Sequence, residues 1–415
     1  MGDGCMRVVV VNDFAHVNGG AAAVAIDSAI GLARRGHRVS FFSAVGPVDS
    51  RLRDAGVEVV CTGQHEILRD PSRMRAVCQG LWNPTASRAL SSHLNGDGRE
   101  HTVIHLHGWS KALTTSVTRA AIDRGFKTVC TLHDYFAACP TGGFFDFRSL
   151  KHCQLRPLSL ACLMRNCDSR SYSQKLWRVA RQVVQERAGG LPGGIDAFVV
   201  LSRLSSNILR PHLPKEAHVF EVQNPVDARR ATPVEVERNY DFVMIARLSP
   251  EKGAALFARA ARKAGVPAMF VGDGPSRKEI ASANPSASIT GWVPKGRVTD
   301  YLARSRCLVF SSLWYEAQPL VLLEAASHGV PAIVSDGCAG AENVVDGVTG
   351  LLFKDGDVGS LAAALRRMND DTFVRRLGRA AYEKYWDDPW TLDRHVKGLE
   401  NVYCAVLGHT TRETR

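Results

Sequence analysis

The chain of 415 residues carries 52 Lys and Arg against 41 Asp and Glu, a formal net charge of +11, and 45% of it is hydrophobic. That length allows two domains of ordinary size, each with its own core. The composition excludes a collagen-like, low-complexity or disordered protein, and the lack of any run of about 20 apolar residues excludes a spanning helix. The charge is uneven: residues 1–230 hold 29 Lys and Arg with 19 Asp and Glu, and the remainder holds 23 with 22. A basic half suits an anionic partner. Nucleic acid is the alternative partner for such a charge, but no helix-turn-helix, RNA-binding or zinc-finger signature accompanies it.

MGDGCMRVVVVND contains a short apolar run that reads as a first strand. It lacks the basic start and longer apolar core of a signal peptide, so a cytoplasmic location is expected. HVNGGAAAVAIDSAIGLARRGH follows as loop and helix, and RVSFFSA as the next strand. This βαβ order predicts an α/β fold built on a doubly wound parallel sheet. Gly19 and Gly20 stand at the helix start, where a ligand can approach backbone amides at the positive end of the helix dipole; a tight strand-to-helix turn is the alternative. Residues 62–100 are Arg-rich and read as irregular, ending in the turn-like NGDGRE. TVIHLHG and KTVCTLHD are two further strands, ending at His107 and His133. A His at a strand's C-terminal end points toward the ligand crevice and can donate to a phosphate or a sugar hydroxyl; a buried structural imidazole is the alternative. Asp134, next in line, can orient an acceptor hydroxyl or act as a base.

The 11 cysteines are an odd number in a chain expected to be cytoplasmic, which argues against a disulfide framework. Four of them, Cys139, Cys153, Cys162 and Cys167, cluster in CPTGGFFDFRSLKHCQLRPLSLACLMRNC. Four thiolates can complete a tetrahedral zinc shell, with His152 as a substitute ligand, although the spacing is not a paired CxxC. A structural zinc would steady an insertion over about residues 139–170 that has no obvious core; four ordinary thiols in a loop are the alternative. Beyond it, in SYSQKLWRVARQVVQER, Leu176, Trp177, Val179, Ala180, Val183 and Val184 interleave with Lys175, Arg178, Arg181 and Arg187. Such a helix can rest on an anionic membrane as a peripheral contact, or pack on a core with a solvated basic face.

A linker is expected near Asn224–Asp227. YDFVMI is then a strand, followed by Arg247, Lys252 and Gly253 on a turn before AALFARAARKAG. A guanidinium fork and an ammonium at a strand's C-terminal end make a diphosphate clamp. AMFVGDGPSRKEI runs a strand into Gly272, where close backbone approach is allowed. CLVFSS is a buried strand, and LLEAASHG a helix. Glu316 falls on the loop between them, and Glu324 about one turn into the helix. Carboxylates in that crevice suit the recognition of hydroxyl groups.

The succession ARLSPEKG, VGDGP, ITGWVPKGRVTDYLARS, two glutamates seven residues apart, and GVPAIVSDGCAGAENVVDGVTGLLF resembles the retaining glycosyltransferases of family 4, with their two-domain GT-B fold of facing Rossmann-like units. The resemblance implies an acceptor-side domain over 1–225, a nucleotide-sugar domain over 236–385, and a helix over 386–405 crossing back to the first. It implies that Arg247 and Lys252 hold the donor diphosphate and that Leu320 and Val321 add helix-start amides. Glu324 would hold the ribose, Glu316 the donor sugar, and the backbone near Trp292 and Val293 the base. His133 would be the active-site His, and Gly19 and Gly20 would lie near the donor phosphate. The implied reaction is hexosyl transfer from an NDP-sugar, UDP-linked rather than GDP-mannose, to a glycan or lipid-linked saccharide in cell-surface polysaccharide synthesis. No metal is required for catalysis. Two departures stand out: Ala317-Gln318-Pro319 replaces the usual glycine-containing loop between the glutamates, and Ala246 replaces the glycine before Arg247. Competing readings are an NDP-sugar epimerase or phosphorylase on the same scaffold, a catalytically silent sugar-nucleotide-binding protein, and a Rossmann oxidoreductase, which lacks its GxGxxG after the first strand.

Overall fold

The computed structural model describes residues 5–96 and 98–408. The first four residues, part of the segment tested above for a signal peptide, and Asp97 of the NGDGRE turn lie outside them. The first domain is built on β1 (Arg7–Phe14), β2 (Arg38–Val45), β3 (Glu58–Cys61), β4 (Thr102–Leu106) and β5 (Lys127–Thr131). A small antiparallel hairpin, β6 (Phe145–Asp146) with β7 (Lys151–His152), interrupts the series before β8 (Ala197–Val200) and β9 (His218–Glu221). Seven strands form one parallel sheet in the order β3-β2-β1-β4-β5-β8-β9. Val8, Val9, Val10 and Val11 of β1 are wholly buried, as expected of a central strand covered on both faces.

The second domain contains β10 (Asp241–Ile245), β11 (Ala268–Val271), β12 (Ser288–Ile289), β13 (Ser305–Phe310), β14 (Ala332–Ser335) and β15 (Gly350–Phe353). Their order is β12-β11-β10-β13-β14-β15, again parallel. In each sheet the chain reverses direction beside its first strand, β1 or β10, and ligand crevices of open α/β sheets lie at such points.

Residues 62–100, read as irregular, contain two helices, Arg73–Leu81 and Pro84–His93. Local chemistry explains them: Ser72 and Asn83 cap the two N-termini with their side chains, and Pro84 takes the first helical position, where a missing N–H costs nothing. The last helix, Leu392–Leu407, lies against the first domain. Its Val396, Leu399, Val402 and Tyr403 join Val8, Val10, Ile26 and Val199 in one apolar cluster. Gly31 lets that contact close, because a Cβ there would stand 2.5 Å from Val396 Cγ2 and the valine would have to shift.

Candidate active site

On the second domain, β10 ends at Ile245 and the chain turns through Pro250–Lys252 into the helix Ala254–Ala264. The turn is pressed onto the end of β13. Gly253 has φ 70°, and a Cβ on it would lie 1.9 Å from the Ser311 carbonyl oxygen, so only glycine lets the two loops meet. The meeting brings Lys252 to Glu316: Lys252 Nζ donates to Glu316 Oε1 at 2.6 Å. Ser312 Oγ donates to the same oxygen at 2.7 Å, and the Lys252 ammonium lies 5.3 Å from the Trp314 ring centroid. Glu316 is 8% exposed and has φ 55°, an unusual backbone conformation for a side chain of its size. Its carbonyl oxygen accepts from the Tyr135 hydroxyl at 2.8 Å, so a residue of the first domain fastens this loop across the cleft. Gln318 adds a second tie, accepting from the Asn224 amide at 2.7 Å.

Arg247 stands nearby with 71% of its side chain exposed, and its Nη2 donates to Glu251 at 2.9 Å. The helix Leu320–Ser327 begins at Pro319 with no side-chain cap, leaving the Leu320 and Val321 end of the helix dipole for an anion. Glu324 lines a cavity of about 470 Å³ shared with Val17, Ala23 and Arg51 of the first domain and with Val298 of the second. Gly19 and Gly20 are close in sequence to that wall, and a Cβ on either would meet nothing within 4 Å. Trp292 is 77% exposed, with Val293 beside it, on the segment after β12. Gly272 has φ 143°, and a Cβ there would lie 1.9 Å from the Ala246 carbonyl oxygen.

On the first domain, His107 Nδ1 and His133 Nε2 share a hydrogen bond of 3.0 Å. Burial pushes the His133 imidazole down to about 3, so near neutral pH it acts as an uncharged donor or acceptor. His107 is 2% exposed, and among the described residues its Nε2 has no hydrogen-bond partner. Asp134 accepts from the Phe136 amide at 2.9 Å. Burial raises its carboxyl to about 6, opposed by that amide and by Arg181 and Lys111.

The helix Tyr172–Arg187 turns its polar residues inward: Lys175, Gln182 and Gln185 are buried, while Leu176 and Val183 are 44% and 43% exposed. Arg178 pairs with the fully buried Asp168 at 3.2 Å, and Arg181 donates to the Ser110 carbonyl at 2.8 Å. Of the helix's four basic residues Arg187 alone is exposed, and Arg178 is committed to Asp168. Among the described residues no helix is long and apolar enough to cross a membrane.

The four clustered cysteines line one small cavity together with Lys175. Lys175 is 1% exposed and donates to the Cys167 and Cys162 sulfurs at 3.3 and 3.5 Å. Among the described residues no three His, Cys, Asp or Glu side chains already stand as a metal-ligand set. His152 stacks on Tyr315 of the second domain, with ring centroids 3.9 Å apart. The roles of Tyr135 as a tie across the cleft, of Ser312 as a donor to Glu316 and of Lys175 as a donor to two thiols escaped the sequence reading. Tyr135 alone had a signal there, as a hydroxyl-bearing aromatic two residues after His133.

Comparison with known proteins gives the family and the fold. The model of the family described as Glycosyltransferase Family 4 matches residues 18–230. The model described as Glycosyl transferases group 1 matches residues 239–371. An exopolysaccharide phosphotransferase of Streptomyces coelicolor is 33% identical over 227 residues, which are 51% of this chain and 24% of that protein. A UDP-Gal:alpha-D-GlcNAc-diphosphoundecaprenol alpha-1,3-galactosyltransferase of Escherichia coli is 29% identical over 187 residues, 41% of this chain and 47% of that protein. The chain thus matches about a quarter and about half of the length of these two relatives. The crystal structure of Anabaena HepE in complex with UDP-glucose superposes with a TM-score of 0.66 at 16% identity, covering 96% of this chain and all of that one. That likeness establishes the GT-B fold.

Proposed function

The chain belongs to glycosyltransferase family 4, and from that premise we propose that it moves a hexosyl unit from an NDP-sugar to a glycan or lipid-linked saccharide, retaining the anomeric configuration. The observation that carries this reading is the Lys252–Glu316 pair, 2.6 Å long, set at the strand ends of the second sheet and fastened by Tyr135 from the first domain. In the proposed reaction the bond from sugar C1 to the diphosphate oxygen breaks, a bond to an acceptor hydroxyl oxygen forms, and the hydroxyl proton passes to the departing diphosphate. Arg247, Lys252 and the amides at Leu320 and Val321 stabilise the leaving diphosphate, which is electrostatic catalysis of the kind that preorganised donors supply. Glu324 accepts from the ribose hydroxyls. Glu316 positions the sugar, and His133 acts as a neutral donor to it.

A UDP-linked donor is favoured by the UDP-glucose complex of the HepE structure and by the UDP-Gal donor in the name of the E. coli relative. That same name contains a lipid-linked saccharide, and the Streptomyces relative is named for exopolysaccharide; both favour a role in cell-surface polysaccharide synthesis. For the cysteine cluster we propose one structural zinc held by Cys139, Cys153, Cys162 and Cys167. The Lys175 ammonium, which already donates to two of these sulfurs, would offset part of the charge of four thiolates. Binding requires the sulfurs to draw together around the ion.

Screening UDP- and GDP-sugars for a rise in melting temperature tests the donor assignment, because a ligand that binds only the folded state raises apparent stability. Anomeric analysis of the product tests retention. A protein that no nucleotide sugar stabilises, and that releases no sugar from any, would overturn the reading.

A further inference from the structure

A second concavity lies in the first domain, between the helices Arg73–Leu81 and Tyr172–Arg187, with a volume of about 400 Å³. Its wall is of two kinds. One part is apolar, formed by Ile67, Leu68, Val77 and Trp177. Leu68 and Val77 are 45% and 48% exposed, and Met74, on the same helix as Val77, is 80% exposed. The other part is cationic. Arg73, Lys111, Arg170 and Arg181 line the cavity, and among the described residues none of the four has a carboxylate within 4 Å; Arg178, a fifth, is committed to Asp168. Among the described residues the sole carboxylate on the wall, Glu66, leans toward Arg69 at 3.7 Å.

Unpaired cations around a partly apolar hollow raise the local concentration of anions and strengthen their hydrogen bonds. The apolar wall adds about 25 cal/mol for each Å² of hydrocarbon that it covers. A free sugar or an inorganic phosphate uses only one part of this wall, whereas an anion carrying a hydrocarbon chain uses both. We infer that this cavity binds a long-chain diphosphate, and that it holds the lipid end of the acceptor. The second half of the inference rests on the glycosyltransferase reading; the first half does not.

The position suits the assignment. Arg181 and Lys111 line the cavity and also act electrostatically on the Asp134 carboxyl, so a headgroup held there lies on the side of the proposed acceptor hydroxyl. The Arg181 guanidinium lies 4.9 Å from the Phe136 ring centroid and 5.4 Å from that of Trp177. Burial and the neighbouring Arg178 lower it to about 10, opposed by Asp134, Asp13 and Asp168.

The test is calorimetric titration of the whole protein with farnesyl diphosphate, farnesol and inorganic pyrophosphate. Farnesyl diphosphate should bind at least tenfold more tightly than either part alone. The double substitution Arg73→Gln, Lys111→Gln should weaken it at least tenfold. Val77→Asn should weaken farnesyl diphosphate and leave pyrophosphate unchanged. Lys252→Met, which removes the donor clamp, should leave farnesyl diphosphate binding intact, showing that the ligand is not in the donor site. Melting curves, and stabilisation of each first-domain variant by the donor sugar nucleotide, confirm that the variants are folded.

Equal affinity for farnesyl diphosphate and pyrophosphate would overturn the inference, as would binding to anionic vesicles without binding to dispersed farnesyl diphosphate. Loss of farnesyl diphosphate binding in Lys252→Met would do the same. Donor stabilisation with no farnesyl diphosphate binding would sink this inference and leave the glycosyltransferase reading standing.

Discussion

Replacing Lys252 by Met removes an ammonium and keeps most of the stem, so it isolates the ion pair with Glu316. The side chains are 22% and 10% exposed, and the contact is 2.6 Å, short and well shielded. A charge-assisted hydrogen bond in that setting contributes about 1.5–3 kcal/mol, and the removal leaves Glu316 with Ser312 as its remaining partner at 2.7 Å. Lys252→Met should therefore lower the melting temperature by roughly 4–8 °C, taking about 2 kcal/mol and the sensitivity usual for domains of this size. Glu316→Gln should cost a similar amount. The double variant should cost much less than the sum, with a coupling energy of about 1.5–3 kcal/mol. In catalysis, loss of one preorganised donor at the leaving group should cut kcat/KM by about 100-fold or more. The assay is a double-mutant cycle read by thermal melts and by product formation with whichever donor the stability screen identifies. A coupling below about 0.5 kcal/mol would show that the pair is an ordinary surface contact, and a wild-type kcat/KM would remove Lys252 from the diphosphate clamp.

Glu324→Ala should raise the donor KM by about 10-fold or more with a smaller change in kcat, since a charged acceptor lost from hydroxyls costs about 1.5–3 kcal/mol; an unchanged KM refutes the ribose assignment. Acid should destabilise the protein between pH 6.5 and about 4.5. Burial holds His133 at about 3 and His395 at about 4 and lowers His105 and His107 well below their ordinary range, so over that window the unfolded chain binds more protons than the folded one and stability falls with pH. Asp134, raised to about 6, and Asp13, also raised by burial, work in the opposite sense but are two groups against these four. For the 1%-exposed His395 alone the loss from pH 7 to pH 5 is about 2 kcal/mol, so melting temperatures that stay flat over that interval would contradict the buried neutral imidazoles. Untagged protein prepared without chelator should carry about one zinc per chain, and substitution of Cys162 or Cys167 by Ser should release it; elemental analysis well below one per chain ends that proposal.

Much of this architecture is legible in the residues themselves. β1 and β13 announce themselves because a strand covered on both faces must be continuously apolar, as VVVV and CLVF are. Gly253 is legible as a turn, because αL backbone conformations favour glycine. Glu316 and Glu324 are legible by spacing and by their place after a strand. What escaped is what depends on a third party. Lys252 reads as half of a diphosphate clamp, but nothing in its own segment shows that the end of β13 brings Glu316 to it. The helix Tyr172–Arg187 reads with its charges outward, because no periodicity reveals that Asp168 and a pair of thiols wait on the other side. The helices over residues 73–93 were hidden by their arginines, although Ser72, Asn83 and Pro84 marked both starts.

The helix Leu392–Leu407 has a consequence for the order of events during synthesis. It supplies Val396, Leu399, Val402 and Tyr403 to the core of the first domain, and its Tyr403 hydroxyl meets His105 Nδ1 at 2.6 Å. The ribosome therefore finishes every strand of the first sheet, at Glu221, long before it makes the helix that covers one face of that sheet. At about 5–20 residues per second the wait is on the order of ten to forty seconds. For that interval the nascent first domain shows apolar surface to the cell, and the second domain has time to fold ahead of it. The domain that begins the chain is thus the one completed last, and a fragment ending at the linker would keep that surface permanently uncovered.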